Sequence, residues 1–329
     1  MSYAKHLVDP LFAKDIAQSP TRAGFGAGLL EAGKKDKNVV GVTADLTDST
    51  KIVDFAKAFP ERFFDVGVAE QNMMGVGAGL AISGKIPFIA SYATFSPGRS
   101  WDQLRVSVCY SNANVKIAGA HTGLSVGPDG ATHQALEDIA ITRVLPNLTV
   151  IQPCDAEQAK KATLAAAAMK GPVYLRLTRE NTPVFTTEKT PFKIGKADVY
   201  RDGDDVAIIA CGPLLYEALA AADELSQNGI QARVINCHTI KPLDAATIVK
   251  AAKETGAVVT VEEHQVTGGL GGAVTELLAR QQPTHVEMVA VQDHFGESGE
   301  PGELLAKYGL DRHGIIKAVR RAKKRKGGK

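Results

Sequence analysis

Glu70 opens an apolar, glycine-rich helical pattern directly after a short strand-like run, Phe64-Asp65-Val66. A carboxylate at a helix start faces free N–H groups and the positive end of the helix dipole, which keep it ionised and available to a ligand. An ordinary first-turn acid would explain that position as well. A second cluster shifts the balance. The segment His121-Thr122-Gly123-Leu124-Ser125-Val126-Gly127-Pro128-Asp129-Gly130-Ala131-Thr132-His133-Gln134 follows an apolar strand pattern at 115–120. In open parallel sheets ligands bind at the carboxyl ends of strands. Histidines in a glycine-rich loop there are poor core material, and imidazole is the side chain that moves a proton near neutral pH.

The elements that must position these groups are legible as alternation. Apolar runs at 39–43, 86–90, 115–120, 148–151 and 172–177 read as strands, and helical patterns at 22–35, 69–83, 101–111 and 156–169 lie among them. Such βα alternation predicts an α/β fold with a mostly parallel sheet covered on both faces. The period fails over 181–197, where Thr, Lys, Pro and Gly dominate, and then restarts. Strands are expected at 206–212, 232–235, 257–261 and 286–290, and helices at 214–228, 245–255 and 270–280. The expected organisation is two α/β domains, 1–188 and a smaller 189–320, followed by a solvated basic tail at 321–329.

Composition excludes little beyond this. The chain has 329 residues, 44% of them hydrophobic and 22% charged, with a formal net charge of +2, which gives no reason to invoke nucleic acid or membrane. The N-terminus lacks an apolar leader pattern, and Cys109, Cys154, Cys211 and Cys237 are scattered without a Cys-x-x-Cys pair. Both features predict a cytoplasmic protein with reduced thiols and no zinc site built by the chain. Two glycine-rich strings are decoys. Gly79–Lys85 resembles a Walker A string, but Ile86 replaces the metal-binding hydroxyl and the segment ends a helix instead of starting one. Thr267–Gly272 does not complete a dinucleotide loop and reads as a tight turn, with an anion contact at this strand-to-helix junction as the alternative. Gly75, Gly77 and Gly79 inside one helix each cost about 1 kcal/mol relative to Ala, which predicts close approach of another backbone at a subunit interface.

Glu70 with Gly67-Val68-Ala69, the 121–134 loop, Arg143-Val144-Leu145-Pro146-Asn147 and Gln152-Pro153-Cys154-Asp155 together resemble the transketolase family. Thr21-Arg22 and Ala44-Asp45-Leu46-Thr47-Asp48-Ser49 also fall where that family carries comparable residues. The resemblance covers essentially the whole chain, as a pyrimidine-binding domain followed by the family's C-terminal domain.

It implies that Glu70 hydrogen-bonds the aminopyrimidine of thiamine diphosphate. It further implies that Asp45 lines the cofactor pocket and that Tyr92, Phe95 and Trp101 are candidates for the rings around the pyrimidine. A central aromatic position of the single-chain pattern is Gly98 here. His121, Asp129 and His133 are implied as partners of sugar hydroxyls, with His133 also a proton shuttle, and Arg22, Ser49 and Arg179 as a sugar-phosphate clamp. Helix capping for Arg22 and Ser49, and a surface ion pair for Arg179, are the structural alternatives.

The Gly-Asp-Gly motif with which thiamine enzymes hold the diphosphate and its Mg²⁺ or Ca²⁺ does not occur in the chain. The expected partner is therefore an N-terminal-section transketolase subunit that carries it, in an α2β2 assembly in which this chain also homodimerises. The expected activity is transfer of a two-carbon ketol unit between sugar phosphates, as in the pentose phosphate pathway. Alternatives are a β subunit of a 2-oxoacid dehydrogenase, a deoxyxylulose-phosphate-synthase-like subunit, or a non-enzymatic regulatory or binding protein. Two loop histidines together with Arg22 and Arg179 favour sugar phosphates over oxoacids.

Overall fold

A computed structural model describes residues 3–327. The first half builds a seven-stranded sheet from β2 (Val39–Thr43), β3 (Phe63–Asp65), β4 (Ile86–Tyr92), β5 (Lys116–Ala120), β6 (Thr149–Ile151) and β7 (Val173–Arg176), joined by β12 (Thr239–Lys241) from the second half. Its order is β12-β6-β7-β5-β4-β2-β3, parallel throughout except for the added edge strand β12. Around it lie α1 (Thr21–Lys35), α2 (Val53–Ala58), α3 (Glu70–Ile82), α4 (Trp101–Gln103, continued as a wide turn over Leu104–Tyr110), α5 (Asp138–Arg143) and α6 (Ala156–Ala168). A two-residue ladder, β1 (Gln18–Ser19) with β8 (Thr182–Pro183), closes the margin.

The second sheet contains β9 (Asp198–Arg201), β10 (Val206–Ala210), β11 (Ala232–Asn236), β13 (Ala257–Gln265) and β14 (His285–Val291), in the order β14-β13-β10-β11-β9. Only β9 runs antiparallel to its neighbour. Its helices are α7 (Leu214–Gln227), α8 (Ala245–Thr255), α9 (Leu270–Gln281), α10 (Pro301–Lys307) and α11 (Arg312–Gly327). The two-domain α/β architecture expected from the alternation is the one observed. The halves interleave at their margins: β12 zips onto β6, while Leu7 and Leu11 pack into the core of the second sheet. No helix among the described residues is long and apolar enough to cross a membrane.

The basic run does not leave the surface as a solvated tail. Residues 321–327 continue α11, whose apolar stripe, Ile315, Ile316, Val319 and Ala322, packs into the second core. Arg321 and Arg325 pair with Glu287, and Lys323 pairs with Asp205. Gly328 and Lys329, the end of the expected tail, lie outside the described residues.

One polar cluster sits inside the apolar layers. Arg176 at the end of β7 is fully buried and grips Asp138 at the start of α5 with two hydrogen bonds, Nε to Oδ2 at 2.8 Å and Nη2 to Oδ1 at 3.0 Å. Tyr174 donates to the same carboxylate at 2.7 Å. Burial pushes the Asp138 carboxyl up, but the charge and hydrogen bonds of Arg176 outweigh it and hold the group below its ordinary range. Removing one partner of such a pair strands the other, at about 3–5 kcal/mol. Asp138→Ala should therefore lose about that much in urea unfolding; a loss below about 1 kcal/mol would show that the pair is dispensable.

Candidate active site

The site forms where parallel strands of the first sheet end. The turn after β3 leads into α3 with Glu70 as its first residue and Ala69 as the cap. Asp65 sets this turn and its neighbour together, accepting from the backbone N–H of Gly67 and of Asp45, both at 3.0 Å. Glu70 is 2% exposed, and its Oε2 accepts from Arg99 Nη1 at 2.8 Å. No other hydrogen bond to this carboxylate forms among the described residues. The Arg99 guanidinium also lies over the Phe95 ring, 4.8 Å from its centroid.

Phe95 is the link to the loop. Its ring centroid lies 5.9 Å from that of Tyr92, nearly parallel, and 5.4 Å from that of His133, nearly perpendicular. Tyr92, the last residue of β4, stacks on His121 at 3.7 Å. Gly98 cannot carry a ring in this backbone, because a Cβ there would sit 2.1 Å from the Thr94 carbonyl oxygen. The aromatic surface near Glu70 is therefore Phe95 with Tyr92 behind it. Trp101 stands apart from these rings. Its indole N–H donates to Ile141 O at 2.7 Å, its side chain packs on the core beside α3, and it makes no ring contact with the cluster among the described residues.

His121 occupies the left-handed region (φ 55°) immediately beyond β5 and is almost fully buried. Arg22 Nη1 approaches its Nε2 at 3.4 Å and donates to the backbone carbonyl of Ser49 at 2.7 Å, so Ser49 enters through its main chain. Arg179 donates to Val126 O at 2.8 Å and to Asp129 at 3.2 Å. Burial, with the charges of Arg22, Arg179 and His133, drops the His121 pKa to about 3. Burial and the charge of Arg179 likewise lower Arg22. Two guanidinium groups thus converge beside a neutral imidazole, a charge arrangement suited to an oxyanion. Asp45, exposed and also at positive φ (60°), lies just past the end of β2.

The loop itself is held by the second domain, through residues that the sequence did not single out. Ser125 donates its N–H (2.5 Å) and hydroxyl (3.1 Å) to buried Glu263 at the end of β13. Gln134 donates to Leu124 O, Gly127 O and Glu297 O at 3.2, 3.3 and 2.9 Å. The neighbouring glycine-rich turn before α9 is filled from within, since Glu262 caps it by accepting from Leu270 N and Gly271 N at 2.7 and 2.8 Å. Asp155 also serves the scaffold. It caps α6 at Gln158 N and accepts from the N–H groups of Phe185 and Thr186. A groove of about 690 Å³ between β14 and α11 contains none of the predicted site residues.

Fold and site together give a two-domain α/β chain with a buried acid, an aromatic wall and two guanidinium groups on one sheet edge. The transketolase pyrimidine-binding domain family matches residues 17–184 and the transketolase C-terminal domain family matches residues 195–315. The chain belongs to the transketolase family, and its architecture is that of a split transketolase subunit. A split gene transketolase solved as an inactive β4 tetramer superposes with a TM-score of 0.87 at 47% identity, covering 93% of this chain and 98% of that one. The 6-deoxy-6-sulfo-D-fructose transketolase subunit of Clostridium sp. (strain MSTE9) is 43% identical, covering 91% of this chain and 92% of its own length. An apulose-4-phosphate transketolase subunit of Phocaeicola vulgatus is 42% identical, covering 91% and 96%.

His121 carries a pH signature. The unfolded imidazole takes a proton near pH 6.5, whereas the folded one refuses it until about pH 3. Its contribution to stability is therefore present above pH 6.5 and lost as pH falls below it, by up to about 1.4 kcal/mol per pH unit. Buried Glu262, raised to about 7, acts in the opposite sense, so the quantity to follow is a difference. The urea-midpoint advantage of wild type over His121→Asn should shrink from pH 7.5 to pH 5; a constant advantage contradicts the assignment.

Proposed function

We propose that this chain is the aminopyrimidine-binding subunit of a thiamine-diphosphate-dependent transketolase. It would act with a separate subunit that holds the diphosphate and its Mg²⁺ or Ca²⁺, and transfer a two-carbon ketol unit from a ketose phosphate to an aldose phosphate. The observation that carries the reading is the buried Glu70 carboxylate joined through Arg99 to the Phe95–Tyr92 wall, which His121 and Arg22 continue. Unpartnered buried polar atoms support the fit to a heteroaromatic ligand. Among the described residues, Ser91, Thr94, Ser96 and Ser100 each present a buried hydroxyl without a partner along the wall segment, and His121 Nδ1 and Arg22 Nε do so nearer the loop. Such atoms cost about 1–3 kcal/mol each when left unpaired.

When bound, thiamine diphosphate supplies the nucleophilic carbon that breaks and remakes the bond beside a ketose carbonyl. The chain's part is to orient and to manage protons. Glu70 Oε2 would share a proton with a ring nitrogen, Phe95 and Tyr92 would hold the ring, and Asp45 would line the rim. His133 exchanges a proton with a sugar hydroxyl, while His121 and Asp129 accept or donate at neighbouring hydroxyls. Arg22, aided by the Ser49 segment, and Arg179 hold the terminal phosphate.

Assembly is read from α3. Gly77 is buried, and a Cβ there would sit 2.9 Å from Ile89. Gly75 and Gly79 face open space, flanked by Val68 (71% exposed) and Ile82 (75% exposed). A smooth apolar helix face suits close packing of another subunit, which supports the α2β2 assembly with homodimerisation of this chain. The relatives named as subunits carry different sugars in their names, so the first assay should use xylulose 5-phosphate with ribose 5-phosphate and then widen. Co-purified with the product of its neighbouring gene, thiamine diphosphate and Mg²⁺, the chain should release a seven-carbon sugar phosphate. Glu70→Ala should reduce this at least about 100-fold, as loss of a positioned acid–base group does; undiminished activity of that variant would refute the role of Glu70.

A further inference from the structure

Arg99 is the residue the reading above leaves unexplained. It follows Gly98, where no ring can be placed, and its guanidinium occupies the two surfaces that an aminopyrimidine would use. One is the Glu70 carboxylate, at 2.8 Å; the other is the face of Phe95, at 4.8 Å. The two ends of the pair differ in character, Glu70 being 2% exposed and Arg99 50% exposed. A guanidinium is a flat, cationic N–H donor, the same class of group as a protonated aminopyrimidine edge. A half-exposed arginine can swing into solvent while the buried acid stays in place.

We infer that Arg99 is a latch: an internal stand-in that neutralises Glu70 and covers Phe95 until the cofactor's ring displaces it. The inference rests on the cofactor reading above. As a cation the latch balances the Glu70 carboxylate in the free chain and keeps the acid in place for the ring. It also lowers the apparent affinity for the ring by the fraction of molecules in which it is open. A half-exposed ion pair with one cation–π contact is weak enough to leave about one molecule in ten open.

The test is calorimetric titration of thiamine diphosphate with Mg²⁺ into the chain assembled with its partner subunit. Arg99→Met removes both contacts, and its Kd should fall about tenfold, equivalent to about 1.4 kcal/mol. Arg99→Lys keeps a charge for Glu70 but loses the planar fork over Phe95, and its Kd should fall about two- to threefold. The lysine variant also keeps the test decisive if the methionine variant fails to fold or assemble. Stopped-flow association should quicken in the same order, since fewer molecules must open first. Unchanged or larger Kd values in the variants, with the wild-type pair binding the cofactor, overturn the latch and leave the functional reading intact. No binding by the wild-type pair overturns both.

Discussion

The Arg176 guanidinium is the point on which the site's scaffold converges. It ends a strand of the first sheet, grips Asp138 at the head of α5, and donates through Nη2 to Ala135 O (3.1 Å) and Glu263 O (3.0 Å). One buried cation thereby ties the first sheet, the exit of the histidine loop and the carboxyl end of β13. A charge in that position is expensive unless its partners are geometrically fixed, and here they are main-chain atoms and a carboxylate held by Tyr174 as well. Glu263 then uses its side chain on the loop entrance at Ser125. Gly123 must be glycine for this contact, since it stands at φ 84° and a Cβ would sit 2.3 Å from the Glu263 carboxyl carbon. The second domain, which contributes no predicted catalytic group, is the mechanical support of the loop that carries His121, Asp129 and His133.

That support explains the electrostatic state of the site. A loop anchored on both sides can hold His121 at positive φ, buried against Tyr92 and between two guanidinium groups, where it stays neutral. A mobile loop would let the imidazole relax into water and recover its ordinary basicity. Pre-paid burial of unpaired polar atoms is a recurrent property of ligand sites, where the scaffold supplies the energy that the ligand later repays in hydrogen bonds.

Much of this was legible in the sequence, for identifiable reasons. Strands such as Val39–Thr43 and Val206–Ala210 are buried on both faces, so their apolar runs stand out against helical spacing. The histidine loop was readable because its residue types make no sense as core. Some short elements were not readable: six-residue α2 and α5 carry too little periodicity, and three-residue β12 is added by tertiary pairing alone. In α11 the density of Lys and Arg masked an apolar stripe at helical spacing, so a packed helix read as a tail. Trp101 bonds the Ile141 carbonyl while Phe95 lies against Tyr92, a difference between two rings of one segment that spacing does not announce. Arg176, Glu263 and Arg99 act through partners more than 20 residues away in sequence, and no local pattern announces a contact of that kind.

The central claim is that this chain holds half of a cofactor site: the acid and the aromatic wall, without the diphosphate cradle. Equilibrium dialysis of radiolabelled thiamine diphosphate with Mg²⁺ against the chain alone, the partner subunit alone and the equimolar mixture tests that division directly. The account predicts tight, stoichiometric retention by the mixture and at least about a hundredfold weaker retention by this chain alone, the scale on which joining two half-sites raises affinity. Retention by the isolated chain as tight as by the mixture would contradict it.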